Sequence, residues 1–261
     1  MSEASEWPSE RTAVLTGAAS ERGIGRAAAD LLAEQGWAVA ILDVDAKEAQ
    51  AAADDIAARH GVPTLGVGTD VSDEESVSAA IEAIEGSESS LPPVVGLVNL
   101  AGISSPTPFM EETRQAWDKV FAVNMTGTFL VTQKLLHGMI ERHLGRIVSV
   151  SSISAQRGGG TYSKVAYSAS KAGIIGFTRA LAREMGEHNI TCNVVSPGPV
   201  DTDIMGGPLD EERKAEMSKD VLMGRVGSVR DIAALITFLL GEDAGYITAA
   251  TYDINGGLQI S

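Results

Sequence analysis

Seven short apolar runs punctuate the chain, at residues 13–15, 39–42, 64–67, 94–98, 147–150, 191–195 and 251–254. Within most of them the hydrophobic residues are near-continuous and do not alternate with polar ones. A strand of that kind is buried on both faces, as in a parallel sheet. Between the runs lie stretches rich in Ala, Leu and Glu, the composition of helices. Strands alternating with helices predict an α/β fold, and right-handed crossovers wind the helices onto both faces of one doubly wound parallel sheet. The pattern runs from residue 11 to the end without a long linker, repeat or low-complexity block. Residues 11–261 therefore read as a single domain and residues 1–10 as a flexible arm. The least patterned stretch, 203–223, carries Gly206, Gly207, Pro208 and many charges. Two readings stand for it: a mobile flap over a site, or a surface loop with a short helix.

Composition narrows the class. With 261 residues, 44% of them hydrophobic and 21% charged, the chain reads as a soluble protein with a large core. A net charge of −15 argues against a nucleic-acid face and against attachment to anionic lipid. The apolar runs fall well short of the ~18 residues that span a membrane. A single cysteine, Cys192, leaves no internal disulfide to form and fits a reducing cytoplasm; its apolar strand context marks it as core. The opening MSEASEWPSE is acidic and lacks the apolar stretch of a signal peptide. The expected location is cytoplasmic. His60, His137, His143 and His188 show no ligand spacing and read as surface or structural, so no metal is expected.

Chemistry enters with Tyr167 and Lys171, four residues apart in VAYSASKAG. On a helix such a pair shares a face, with Cβ atoms roughly 5–6 Å apart. A phenol beside an ammonium favours the phenolate, which makes Tyr167 a candidate general acid/base. Upstream, Gly17, Gly23 and Gly25 follow the first strand and open a helix, the place where backbone approaches a dinucleotide pyrophosphate. The spacing is not G-x-G-x-x-G. Asp43 ends the second strand about 20 residues further on, where a carboxylate accepts from a ribose 2′-OH and repels a 2′-phosphate. Arg22 pulls the other way, since a cation beside the loop welcomes that phosphate. The balance favours NAD, with NADP not excluded. A proton-transfer group beside a nicotinamide site implies interconversion of an alcohol and a carbonyl.

These residues, with others in order, resemble the short-chain dehydrogenase/reductase family. The resemblance covers about residues 11–257. It rests on TGAASERGIG at 16–25, Asp43, Asp70-Val71, Asn99-Leu100-Ala101-Gly102, Asn124 in VNMTGTF, Ser152 in IVSVSSIS, YSASK at 167–171, SPGPVDT at 196–202 and DINGG at 253–257. It implies a Rossmann-type fold and assigns roles. Gly17, Ser20, Arg22, Gly23, Ile24 and Gly25 would form the nucleotide loop. Asp70 and Val71 would flank the adenine, and Asn99, Ala101 and Gly102 would close the adenine-ribose side. Tyr167 would be the acid/base. Lys171 would bind the nicotinamide ribose and lower the Tyr167 pKa. Ser152 would bond the substrate oxygen, and Asn124 would hold a water linking Lys171 to solvent. Pro197, Gly198, Val200 and Thr202 would border the carboxamide.

Several departures from the family pattern bear on this. Five residues separate Gly17 from Gly23, where three are common, so the loop is expected to bulge around Ala19, Ser20 and Glu21. Leu100 replaces a usual Asn. The segment before Tyr167, residues 155–163, is about two residues longer than the family pattern, which leaves the serine role open among Ser151, Ser152 and Ser154, with the strand count favouring Ser152. Ala249 stands where the family usually has Gly. Substrate recognition falls to the 156–163 loop, with Ser154, Arg157 and Tyr162 as candidates, and to the 203–223 stretch. Arg157 reads equally as a fork for an anionic substrate group or as a solvated surface Arg. The first functional expectation is an NAD-dependent dehydrogenase of a small secondary alcohol: a sugar, polyol or hydroxy acid. The second is an NADPH-dependent 3-oxoacyl-(acyl-carrier-protein) reductase. The third, from another class, is a non-catalytic nucleotide-binding scaffold. The family commonly forms homotetramers, which this chain is expected to share.

Overall fold

The computed structural model describes residues 7–160, 163–205 and 207–260. The apolar runs become seven strands: β1 (Thr12–Thr16), β2 (Ala38–Asp43), β3 (Thr64–Gly68), β4 (Val94–Asn99), β5 (Gly145–Val150), β6 (Ile190–Pro197) and β7 (Thr251–Ile254). They form one parallel sheet in the order β3-β2-β1-β4-β5-β6-β7. The chain winds outward from β1 to β3 and then crosses back to β4. The strand order reverses between β1 and β4, and their carboxyl ends open a crevice there.

Helices cover both faces. α1 (Ile24–Glu34), α2 (Ala46–His60) and α9 (Val229–Leu240) carry one buried layer; α3 (Glu74–Glu85), α5 (Gly127–Arg142) and α7 (Val165–Met185) carry the other. β1 shows the division residue by residue. Ala13 and Leu15 pack with Leu32 and Ile236 on one face, while Val14 packs with Leu97, Leu135 and Met139 on the other. Cys192 lies in this second layer, and burial pushes its thiol up to about 12. No helix among the described residues is long and apolar enough to cross a membrane.

Local chemistry sets the helix ends. Asp45 caps α2 by accepting from the amides of Lys47 and Glu48, and Gly61 ends it at φ 70°. Ser228 and Asp231 form a reciprocal capping box on α9. Three shorter helices are α4 (Arg114–Phe121), α6 (Ser154–Arg157) and α8 (Glu211–Ser218). α4 runs into α5 through a wider π turn at Ala122–Thr126. The 203–223 stretch holds a 3₁₀ turn (Asp203–Met205) and α8. Of residues 1–10, the described part begins at Trp7, whose ring meets Trp37 edge-on at 6.0 Å. The Arg146 guanidinium sits 5.1 Å from the Trp7 ring.

Before β7, Ala249 sits at φ 59°, a left-handed conformation costing an alanine roughly 1–2 kcal/mol. The turn is held there because the Ala249 amide donates to the Cys192 carbonyl at 2.8 Å, while Asn193 Nδ2 donates to the Ile247 carbonyl at 2.7 Å. Ala249→Gly is expected to stabilise the protein by about 0.5 kcal/mol, the strain relieved less the extra freedom of glycine in the unfolded chain. Urea unfolding checks this, and a lower midpoint in the variant rejects it.

Candidate active site

The carboxyl ends of the central strands surround a cavity of about 850 Å³. One end is built by the first strand–loop–helix unit. Thr16 ends β1, and its hydroxyl accepts from the amides of Leu100 and Ala101 at 3.1 Å each. That bond ties the loop after β4 to the loop after β1. Gly17 lies at φ 64°, and a Cβ there would sit 2.8 Å from Ala101 Cα. Only glycine allows this approach. The two extra loop residues, Glu21 and Arg22, occupy the exposed tip of a turn closed by the Gly23 amide on the Ser20 carbonyl at 2.8 Å. α1 then begins without a side-chain cap and without an acid in its first turn. Its amides and the positive end of its dipole face the cavity, a place for an anionic group.

Asp43 lines the cavity at the end of β2, with Oδ2 accepting from the Ala19 amide at 3.1 Å. Asp70 and Val71 line it after β3. Asp70 Oδ1 accepts from the Ser72 hydroxyl and amide, at 2.6 and 2.9 Å, which holds that carboxyl below its usual range. A close-approach glycine, an uncapped helix start and a carboxylate at the next strand end suit a dinucleotide: pyrophosphate at α1, ribose at Asp43.

The other end carries the reactive groups. Tyr167 and Lys171 lie one turn apart on α7, and Lys171 Nζ is 5.8 Å from the centre of the Tyr167 ring. Lys171 is buried and donates to the Val150 carbonyl at 2.8 Å; burial lowers its pKa to about 8. The three serines after β5 separate cleanly. Ser151 is buried and donates to the Lys171 carbonyl at 2.8 Å. Ser154 pairs with Ser163 at 2.8 Å. Ser152, whose Oγ accepts from the Ser154 amide at 3.1 Å, is the serine whose side chain acts on the Tyr167 phenol, favouring its charged form. Pro197, Gly198, Val200 and Thr202, after β6, close this end.

The structure adds detail to the expected chemistry at four points. Burial pushes the Tyr167 phenol above its ordinary value, with the Ser152 side chain working the other way, and Lys171 directs its ammonium to a carbonyl. Asn99 does not line the cavity. Its side chain is buried and donates to Thr132 Oγ1 at 2.9 Å, and its neighbours Leu100, Ala101 and Gly102 form the wall instead. Asn124 is buried in the π turn. It donates to the Ile103 carbonyl and Ser170 Oγ, and accepts from the Ile103 amide at 2.9 Å, so it fixes the strand-end loop beside Lys171. Arg22 does not line the cavity; its guanidinium is engaged by Asp201 and Asp203.

Ser20, Gly23, Ile24 and Gly25 line the cavity, as do Ser154 and the exposed Arg157, which reaches the Leu258 carbonyl at 3.5 Å. Tyr162 lies outside the described residues. Sequence reasoning missed Ser104, Met217 and Leu258, lining residues brought in by two loops and by α8, far apart in the chain. The serine-rich loops around 104 and 163 carried no spacing signal that would have singled out their members.

A nucleotide crevice at the strand reversal, with a tyrosine, serine and lysine at its end, defines a nicotinamide-dependent oxidoreductase. A family model described as enoyl-(acyl carrier protein) reductase matches residues 17–259. An uncharacterized short-chain type dehydrogenase/reductase of Sinorhizobium fredii is 41% identical over 96% of this chain and 98% of its own. A 3-oxoacyl-(acyl-carrier-protein) reductase of Aquifex aeolicus is 40% identical over 95% and 97%. The crystal structure of a 3-oxoacyl-(acyl-carrier protein) reductase from Brucella melitensis superposes with a TM-score of 0.87 at 32% identity, over 96% of this chain and 92% of that one. The chain belongs to the short-chain dehydrogenase/reductase family and is an NAD(P)-dependent oxidoreductase acting on CH–OH groups and the matching ketones.

Lys171 gives a stability prediction. Its folded pKa of about 8 lies below the ~10.4 of an unfolded chain. The burial penalty is therefore complete below about pH 8 and fades as pH rises toward 10.4. Lys171→Met is expected to stabilise the fold at pH 7 by up to about 3 kcal/mol, with the gain shrinking toward pH 10. Denaturant unfolding at the two pH values checks it; equal stabilities at pH 7 would sink it.

Proposed function

We propose that the enzyme interconverts a small secondary alcohol (a sugar, polyol or hydroxy acid) with its ketone, using NAD. The observation that carries this reading is Asp43. Its carboxylate lines the cavity at the end of β2 and is anchored by the Ala19 amide. A carboxylate there accepts from a free 2′-OH and repels a 2′-phosphate. The cation that would offset it, Arg22, is engaged by two other carboxylates.

A bound nicotinamide cofactor would supply the hydride acceptor in oxidation and the hydride donor in reduction. The rest is done by side chains of this chain. Tyr167 Oη takes the hydroxyl proton in oxidation and returns it in reduction. Ser152, whose side chain acts on the Tyr167 phenol, donates to the substrate oxygen as charge develops on it. Lys171, fixed on Val150, brings positive charge to the ribose side of the site. Ser151 holds α7 against the end of β5 through the Lys171 carbonyl, which sets the height of the whole face. Arg157 at the rim offers a fork for an anionic substrate group, which favours hydroxy acids among the three classes.

A second reading, reduction of a 3-oxoacyl thioester with NADPH, is favoured by the names of the Aquifex and Brucella relatives. Asp43 weighs against it, and so does the −15 charge where an acidic carrier protein would dock.

Absorbance of the reduced nicotinamide, followed with NAD or NADP across sugars, polyols, hydroxy acids and one 3-oxoacyl thioester, decides between them. Oxidation of a polar alcohol with NAD is the expected result; turnover of the thioester alone, with NADPH alone, rejects the reading. Tyr167→Phe is expected to lose about 10²–10⁴-fold in kcat while still binding NADH. Because the phenol is held above its ordinary pKa, oxidation is expected to accelerate as pH rises and reduction to slow. A flat profile in both directions would remove Tyr167 from the proton-transfer role.

A further inference from the structure

Ser20 and Arg22 of the lengthened nucleotide loop make contacts that the dehydrogenase reading does not use. Arg22 Nη2 meets Asp201 Oδ1 at 2.7 Å, and its Nε meets Asp203 Oδ1 at 3.1 Å. Ser20 Oγ donates to the second oxygen of Asp203 at 2.9 Å. Asp201 in turn accepts from the Leu209 amide at 3.0 Å and meets Lys214 of α8 at 3.3 Å. A connected set of side chains thus runs from the turn before α1 to the helix beyond Thr202. Residues between these anchors form part of the cavity wall: Ile204 and Met217 both line it. The Ile204 carbonyl also faces Ser104 Oγ, at 3.5 Å, on the opposite side.

We propose that Arg22 is a positioning residue that clasps the segment after β6 to the nucleotide loop, and so holds the wall over bound cofactor. A cation reading a 2′-phosphate would point toward Asp43, along the cavity. Arg22 is instead engaged by two carboxylates about 180 residues away in sequence. The lengthened turn puts its guanidinium at the exposed tip, where it reaches them. A single exposed ion pair is worth little, about 0–1 kcal/mol. Here one planar fork serves two carboxylates, and one carboxylate serves two loop residues, so the contacts stand or fall together. The proposal rests on cofactor binding by the family and is independent of which alcohol is the substrate.

The test uses the full chain and no substrate. Arg22→Ala, Arg22→Lys, Asp203→Asn and the double variant Arg22→Ala/Asp203→Asn would be compared by hydrogen exchange of α8 amides and by the dissociation rate of NADH and of NADPH. Arg22→Ala and Asp203→Asn are each expected to speed α8 exchange and NADH release by roughly twofold to tenfold, the range that exposed ion pairs support. The double variant is expected to match the singles, Arg22→Lys to recover part of the loss, and about 0.5 M salt to loosen the parent protein more than the variants. Unchanged exchange and release in Arg22→Ala would overturn the proposal, as would additive effects in the double variant. Selective loss of NADPH binding in Arg22→Ala would overturn it too, by making Arg22 a phosphate reader.

Discussion

A sheet covered on both faces leaves no room for polar chemistry inside it. Ala13, Leu15 and Val14 fill both sides of β1 with apolar contacts, and the neighbouring strands do the same. Groups that must meet a charged cofactor or move a proton are driven to the strand ends, where backbone hydrogen bonding stops. The reversal of strand order between β1 and β4 separates the loops that follow them and opens a crevice between. Every part of the candidate site is arranged around that gap: the uncapped start of α1, Asp43 at the end of β2, and the serine loop after β5.

Within the crevice, burial sets the protonation states. Lys171 is held at about 8 and the Tyr167 phenol is held up, both because burial disfavours the charged form. The chain therefore presents tyrosine in its acid form, while the Ser152 side chain leans toward the phenolate. The fold keeps a buried ammonium here at a cost in stability, offset by the rest of the core. Sites that trade stability for chemistry are expected at such positions.

The loop departures also acquire physical meaning. The longer nucleotide turn does not disturb the close approach of Gly17 to Ala101, because the extra residues are extruded at its tip. Arg22 at that tip, with Ser20 beside it, then meets Asp203 in the segment after β6. The shift of register before Tyr167 is absorbed between Ser154 and Ser163, which bond to each other, leaving Ser152 opposite the phenol.

The sequence by itself determined the sheet, the helices and the face shared by Tyr167 and Lys171. Those follow from local periodicity and from an i, i+4 spacing, both of which depend on near neighbours along the chain. It also marked Asp43, because the end of an apolar run locates the end of a strand. Which of Ser151, Ser152 and Ser154 faces the phenol was decided only by tertiary structure. So were the turning of Asn99 to Thr132, the engagement of Asn124 with Ile103 and Ser170, and the pairing of Arg22 with residues about 180 positions away. Each of these depends on where a side chain points once distant segments have packed, and spacing along the chain carries no record of that direction.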